Sequence, residues 1–399
     1  MATIAPPEFP PADHDLTRLG VRAAGVAAGI KASGKPDVAL LVADAPLSVA
    51  GVFTQNLLAA APVALCRAHL AASGGRMRAL VVNSGNANAC TGTQGEADAA
   101  AMAAQVAALV GCPVHEVLVC STGVIGVPLP MERVRAGIAA AFAALSAEPV
   151  GGRAFLAAIQ TTDAFGKEAS EAAAGHVVAG VCKGAGMIQP DMATMLAFVG
   201  TDAAASPAAL ASVIGRLAAR SFNAVHVDTH TSTNDTFLLF SRAGSGALAG
   251  EVLASVERVS RRLAWLIARD GEGATKVTTM TVRGAASDEA ARAVAVHVAS
   301  SALVRTALFG NDPNWGRFVS QVGNSRAVKS VAGLRCLLQG TVVFEGGGPT
   351  RFDRAALSQA MRVPDVSLEI ELAEGHGEAV LLTADLGYEY VRINAEYTT

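Results

Sequence analysis

Lys183-Gly184-Ala185-Gly186-Met187-Ile188-Gln189-Pro190-Asp191-Met192-Ala193-Thr194-Met195-Leu196 is the stretch on which the reading of this chain turns. A glycine-bearing loop runs into a proline, and a strand-like run begins at Thr194 and extends to Gly200. As a phosphate loop the stretch fails, because it lacks both the G-x-x-x-x-G-K-[ST] spacing and the third glycine of G-x-G-x-x-G. As a plain loop before a strand it carries no chemistry. A third reading starts from Thr194. A threonine hydroxyl is a weak nucleophile until a base stands beside it, and the α-amine of an N-terminal threonine is such a base. Thr194 gains that amine only if the Ala193–Thr194 bond breaks. The small Ala193 leaves the hydroxyl room to attack the preceding carbonyl, giving an ester that water hydrolyses.

Working outward, short β-branched runs bounded by Gly, Pro, Asn or Asp predict strands over 37–43, 79–83, 116–120, 176–182, 236–241, 276–282, 341–345, 366–372 and 379–383. Helices are expected over 96–110 and 130–146, from Ser206-Pro207, over 251–269, from Ser287 to about Ser301, and over 352–361. Strands and helices are interspersed without regular βαβ alternation, so helices layered over antiparallel or mixed sheets fit best. The strands 366–372 and 379–383 read as an adjacent pair across a turn containing Gly375. No internal repeat, low-complexity block or linker divides the chain.

Composition narrows the function classes. The 399 residues hold 31 Lys+Arg against 34 Asp+Glu, a net charge of −3, which provides no basic footprint for nucleic acid. Hydrophobic residues make up 51% and aromatics only 5%, so the apolar content is largely Ala and Val, with 40 Gly beside it. That excludes disorder and supports a large core. No stretch reads as a membrane span; Ala99–His115 comes nearest and is broken by Gln105, Gly111 and Pro113. The opening MATIAPPEFPPA reads as a proline-rich arm with none of the features of a secretory signal. Six cysteines without a C-x-x-C pair read as small buried hydrophobes, and the chain is expected to be cytoplasmic.

The stretch KGAGMIQPDMATML resembles the self-cleavage segment of the ornithine acetyltransferase family, bifunctional glutamate N-acetyltransferases of arginine biosynthesis. GVFTQN (51–56), VVNSGNANACTG (81–92), STGVIG (121–126), TSTNDT (231–236), RDGEGATK (269–276), FGNDPNWGR (309–317) and the terminal NAEYTT (394–399) match the same family in order along nearly the whole chain. The resemblance implies an α+β fold, an α-β-β-α layered sandwich. It implies cleavage between Ala193 and Thr194 into an α chain (1–193) and a β chain (194–399), and pairing as a dimer of αβ units.

It further implies that Thr194 is the nucleophile and that Thr122 and Gly123 form the oxyanion hole. Outside the family, Thr122 and Gly123 read as a turn after a strand. Thr161, Thr162, Lys183, Thr194, Glu272, Asn394 and Thr399 match substrate-binding positions, with the choice between Thr161 and Thr162 left open. Lys183 and Asn394 suit an α-carboxylate and Glu272 a side-chain ammonium, although Glu272 alone reads as a loop acid after a helix. The substrates implied are N2-acetyl-L-ornithine and L-glutamate, with acetyl-CoA as a possible second donor, no other cofactor and no metal.

The chain departs from the family at Ala164-Phe165-Gly166-Lys167, where Thr and a Pro-Lys pair are usual, at Gln189 and Asp191, and at Thr229-His230. These loops leave the acyl group open between acetyl and a relative such as succinyl. Two rival functions stand beside transfer: an aminopeptidase or amidase on the same scaffold, and a silent binding homologue. His226, Asp228 and His230 alternate as if along one strand face, where hydrogen bonding is a better reading than a metal site. Gly346-Gly347-Gly348 reads as a plain loop.

Overall fold

The computed structural model describes residues 15–189 and 195–396. The proline-rich arm, the bond between Ala193 and Thr194, and Thr399 lie outside the described residues. The strands are β1 (Val21–Val26), β2 (Val38–Phe53), β3 (Arg76–Asn86), β4 (Val117–Val124), β5 (Lys167–Ala173), β6 (His176–Lys183), β7 (Leu196–Ala205), β8 (Val225–His226), β9 (Thr236–Ala243), β10 (Val277–Ala285), β11 (Arg335–Leu338), β12 (Thr341–Glu345), β13 (Gly348–Pro349), β14 (Asp365–Glu371) and β15 (Gly377–Ala384). The helices are α1 (Ala61–Ser73), α2 (Gly92–Val110), α3 (Met131–Ala143), α4 (Pro149–Ile159), α5 (Pro207–Ala219), α6 (Gly250–Arg269), α7 (Asp288–Ala299), α8 (Ala302–Phe309), α9 (Trp315–Asn324), α10 (Arg354–Ala360) and α11 (Tyr388–Glu396).

One sheet runs β4-β3-β2-β9-β7-β6-β5, with β1 added on β2. The long β2 belongs to two limbs of it. Its first half pairs with β1 and β3, its second half with β9, and the β3 register shifts between Val42 and Leu47. The sheet folds over at that irregularity, as bulged strands do. Alternation along the strands then sorts the side chains by face. Ala39, Leu41, Leu80 and Leu118 from one limb share a core with Val181, Phe198, Leu238 and Phe240 from the other. The outward set of the first limb, Leu40, Val42, Val81 and Val119 among them, packs on α2 and α3 through Met102, Val106 and Ile138. The outward set of the second, including Val199, Phe237 and Leu239, packs on α5 and α6 through Leu210, Leu217, Val259 and Leu263. The layers are therefore α-β-β-α, as the resemblance implies. Phe155 of α4 enters the middle layer and meets Phe198 edge-on with centroids 5.8 Å apart.

A second sheet runs β13-β12-β11-β14-β10-β15-β8 and is covered on one face by α7, α8 and α9. Here one expectation fails. Strands 366–372 and 379–383 do not pair with each other; β10 lies between them, parallel to β14 and antiparallel to β15. A hairpin would leave β10, with buried Val277, Met280 and Val282, as an unpaired edge. The helix expected from Ser287 to about Ser301 is two: Ser287 caps α7 and Ser301 caps α8. The strand expected over 37–43 is only the first limb of β2. Of the cysteines, Cys66, Cys120, Cys182 and Cys336 are buried, but Cys90 is exposed and Cys112 half-buried. Among the described residues no single helix is long and apolar enough to cross a membrane.

Candidate active site

The site lies where the ends of the two limbs meet. Thr122 and Gly123 close β4, paired with Ser84 and Gly85 of β3. Lys183 closes β6, opposite Leu196 of β7. Lys183 Nζ donates to Thr122 Oγ1 at 3.2 Å, so one hydrogen bond joins the layers. The β3–β4 ladder is irregular at Gly85/Asn86, a bulge of the kind that re-aims groups beside a site. Gly123 has a φ of 133°, and a Cβ there would lie 2.3 Å from the carbonyl carbon of Gly85. Only glycine fits. The asparagines of 81–92 satisfy the turn around it: Asn83 donates to Asn86 O, Asn86 to Val127 O and Asn88 to Gly95 O.

Glu272 sits in the loop after α6, its N–H donating to Ala185 O at 2.9 Å. Its Oε1 accepts from Thr162 Oγ1 at 3.0 Å and its Oε2 from Asn394 Nδ2 at 2.9 Å. Thr162 lies in the loop after α4 and Asn394 on α11, so three distant segments converge on one carboxylate. Thr161 and Thr162 both border the cavity, and Thr162 is the one whose hydroxyl reaches Glu272. The cavity is about 630 Å³ and is lined by Thr122, Gly123, Lys183, Glu272, Asn394 and Lys31 among others. That size suits a small ligand. Every sequence-predicted site residue within the described residues borders it; Ala193, Thr194 and Thr399 are outside them.

Sequence reasoning missed the support behind this wall. Lys167 Nζ donates to Asp163 Oδ1 at 2.6 Å and to Asp270 Oδ2 at 2.5 Å, and all three side chains are buried. Gly184 N–H also donates to Asp163 Oδ1, at 2.8 Å. Burial alone would raise the Asp163 carboxyl, but Lys167, Lys183 and the Gly184 N–H outweigh it and hold it below the ordinary carboxylate range. Burial lowers the Lys183 ammonium; Asp163 opposes that and Lys167 reinforces it. Lys167 carries no local signal of its role, because its two carboxylate partners are brought to it by the loops after α4 and α6.

Two further acids hold the backbone at Met187-Ile188 and at Met195. Asp228 accepts from Met187 N–H at 2.6 Å and Ile188 N–H at 2.8 Å. Asp235 Oδ1 accepts from Met195 N–H at 2.8 Å, and Thr236 N–H donates to Met195 O at 3.1 Å. Burial drives the Asp235 carboxyl well above its ordinary value, and its Oδ2 is a buried oxygen without a partner among the described residues. His226, Asp228 and His230 do not share a strand face, because β8 covers only Val225–His226. His226 is buried against Ser300 and Thr383, Asp228 holds the loop, and His230 is exposed. The sharp signal available in advance was Asp235 within TSTNDT, where a carboxylate follows four polar residues directly before a strand.

Fold and site together define an enzyme cavity for a small molecule, lined by an ammonium and a hydroxyl that are hydrogen-bonded to each other and by a carboxylate. The chain matches the ArgJ family over residues 22–399. It is 44% identical over 413 residues to the arginine biosynthesis bifunctional protein ArgJ of Rhodopirellula baltica, an alignment spanning all of both chains. It is 46% identical over 393 residues to that of Geobacter sulfurreducens, covering 95% of this chain and 99% of the relative. A solved ornithine acetyltransferase from Mycobacterium tuberculosis, complexed with ornithine, is 41% identical with a TM-score of 0.41, the match covering 46% of this chain and 96% of that one. The chain belongs to the ArgJ family.

Proposed function

We propose that the chain is a self-processing acyltransferase of arginine biosynthesis that moves an acetyl group from N2-acetyl-L-ornithine to L-glutamate. Cleavage of the Ala193–Thr194 bond leaves chains 1–193 and 194–399 and frees the Thr194 amine. The Thr194 hydroxyl attacks the acetyl carbonyl carbon while its proton passes to that amine. The developing oxyanion is held by Thr122 and the Gly123 N–H. The amide C–N bond breaks, ornithine takes the proton and leaves, and an acetyl ester remains on Thr194. The glutamate amine then attacks the ester carbon, the C–O bond breaks and the proton returns to Thr194. Acetyl-CoA enters, where used, as a second donor to the same hydroxyl. The scheme uses no metal or organic cofactor. The enzyme acts in the cytoplasm as a dimer of αβ units.

The observation that carries this reading is the convergence of Thr122, Gly123, Lys183, Thr162, Glu272 and Asn394 on one cavity at the start of β7. Lys183 and Asn394 suit the α-carboxylate, and Glu272 suits the side-chain ammonium of ornithine. Thr399 is expected beside the same substrate. The test is intact mass before and after acetylornithine. Two chains, with one acetyl group gained on 194–399, are expected, and Thr194→Ala should remain a single chain. Free acetate released at the same rate with and without glutamate would make the enzyme a hydrolase instead.

A further inference from the structure

A site that takes ornithine first and glutamate second must accept a side-chain ammonium and then a side-chain carboxylate. Glu272, already the acceptor for Thr162 and Asn394, suits the first and repels the second. The glutamate side chain therefore needs a cation elsewhere on the wall. Lys183, Lys31, Lys35 and Arg392 border the cavity. Lys183 is tied to Thr122, and Arg392 is held on its own helix by Glu389 at 2.8 and 2.6 Å. Lys35 is exposed at the mouth.

Lys31 is different. It lies in the loop between β1 and β2, and the buried carboxylate of Asp37 fixes that loop by accepting from Ala28, Ile30 and Lys31 N–H at 2.6, 2.6 and 3.0 Å. Lys31 Nζ donates to Pro36 O at 2.6 Å, which uses one of three ammonium hydrogens. Its stem crosses Gly85, where a Cβ would lie 2.9 Å from Lys31 Cγ. The backbone glycine of the β3 end thus makes room for the lysine. We propose that Lys31 is the specificity residue for the acceptor, its ammonium receiving the side-chain carboxylate of glutamate in the cavity that both Lys31 and Glu272 line. This rests on the transferase reading above.

Electrostatics agree. The charged groups acting on Lys31 are Asp37, Lys183, Asp163 and Lys35; burial, with Lys183 and Lys35, outweighs the two carboxylates and lowers it to about 8. A bound carboxylate would relieve that repulsion and restore the charge. In a ping-pong scheme, kcat/KM for each substrate reports its own half-reaction. Wild type, Lys31→Met and Lys31→Arg are compared with acetylornithine and glutamate at pH 7 and pH 9. In Lys31→Met, kcat/KM for glutamate should fall roughly 10- to 100-fold, as loss of a charged hydrogen bond does, while that for acetylornithine moves far less. Lys31→Arg should recover most of the loss. The wild-type glutamate KM should rise between pH 7 and 9 as Lys31 loses its proton, and the Arg variant's should not. An equal fall for both substrates, or no fall for glutamate, overturns the proposal. Absence of N-acetylglutamate from the wild type itself would instead remove the transferase reading.

Discussion

In the proposed mechanism Thr122 and Gly123 act through different properties: Thr122 contributes a hydroxyl, while Gly123 contributes its N–H and owes its place to the absence of a side chain. Thr122→Ala should cut kcat by about 10²–10³-fold, the usual loss for one oxyanion donor, with stability little changed; single-turnover acylation reads this. Gly123→Ala should do worse, because its Cβ would stand 2.3 Å from Gly85 backbone at a φ of 133°. Its thermal midpoint should drop along with its activity. If it melts like the wild type, the close approach of β3 and β4 is wrong. Residues of this kind were legible because they sit in short fixed motifs. Lys31 and Lys167 were not, since what distinguishes them is partial or full burial and the company of other charged groups, and neither is written in local spacing.

Helix starts were the most readable elements. Ser206 was expected as an N-cap with Pro207 following it, and Ser206 Oγ accepts from Ala209 N–H at 3.2 Å. Caps depend on three or four neighbouring residues, so their physics is local. Strand partnership is not local, and β14 and β15 show it: only the demand of β10 for two neighbours separates them. The loop before the proposed cleavage bond is set by another distant partner. Asp228→Ala would free Met187 and Ile188 N–H from their shared acceptor. Uncleaved precursor should then accumulate, seen as a full-length band on a denaturing gel. Equal processing of this variant and the wild type would remove Asp228 from any part in cleavage.

At the scale of the molecule, residues beyond 194 supply β7 and β9 to the middle of the first sheet, paired with β6 and β2 from the other half. Chains cut at Ala193–Thr194 should therefore co-migrate on a native column and separate only in denaturant. The buried Lys167–Asp163–Asp270 group ties β5 to the loops after α4 and α6. Lys167→Met would leave two uncompensated carboxylates and should cost about 3–5 kcal/mol in denaturant unfolding. Asp163 is held below its ordinary value, so its contribution is full above the carboxylate range and drains as pH falls through that range. Asp163→Asn should accordingly begin less stable at pH 7 and lose less on acidification than the wild type.

The family motifs and most strand and helix positions were legible in the sequence, because each depends on neighbours a few positions apart. The sequence also showed that so apolar and weakly charged a chain must build a large core. Packing alone settles that β2 folds one sheet into two facing limbs, that β10 parts β14 from β15, and that Thr122 meets Lys183 across the layers. The reason is physical: hydrogen-bond partners across a sheet and charges across a cavity are chosen by which surfaces pack together, and packing joins residues that lie, like Thr162 and Glu272, 110 positions apart.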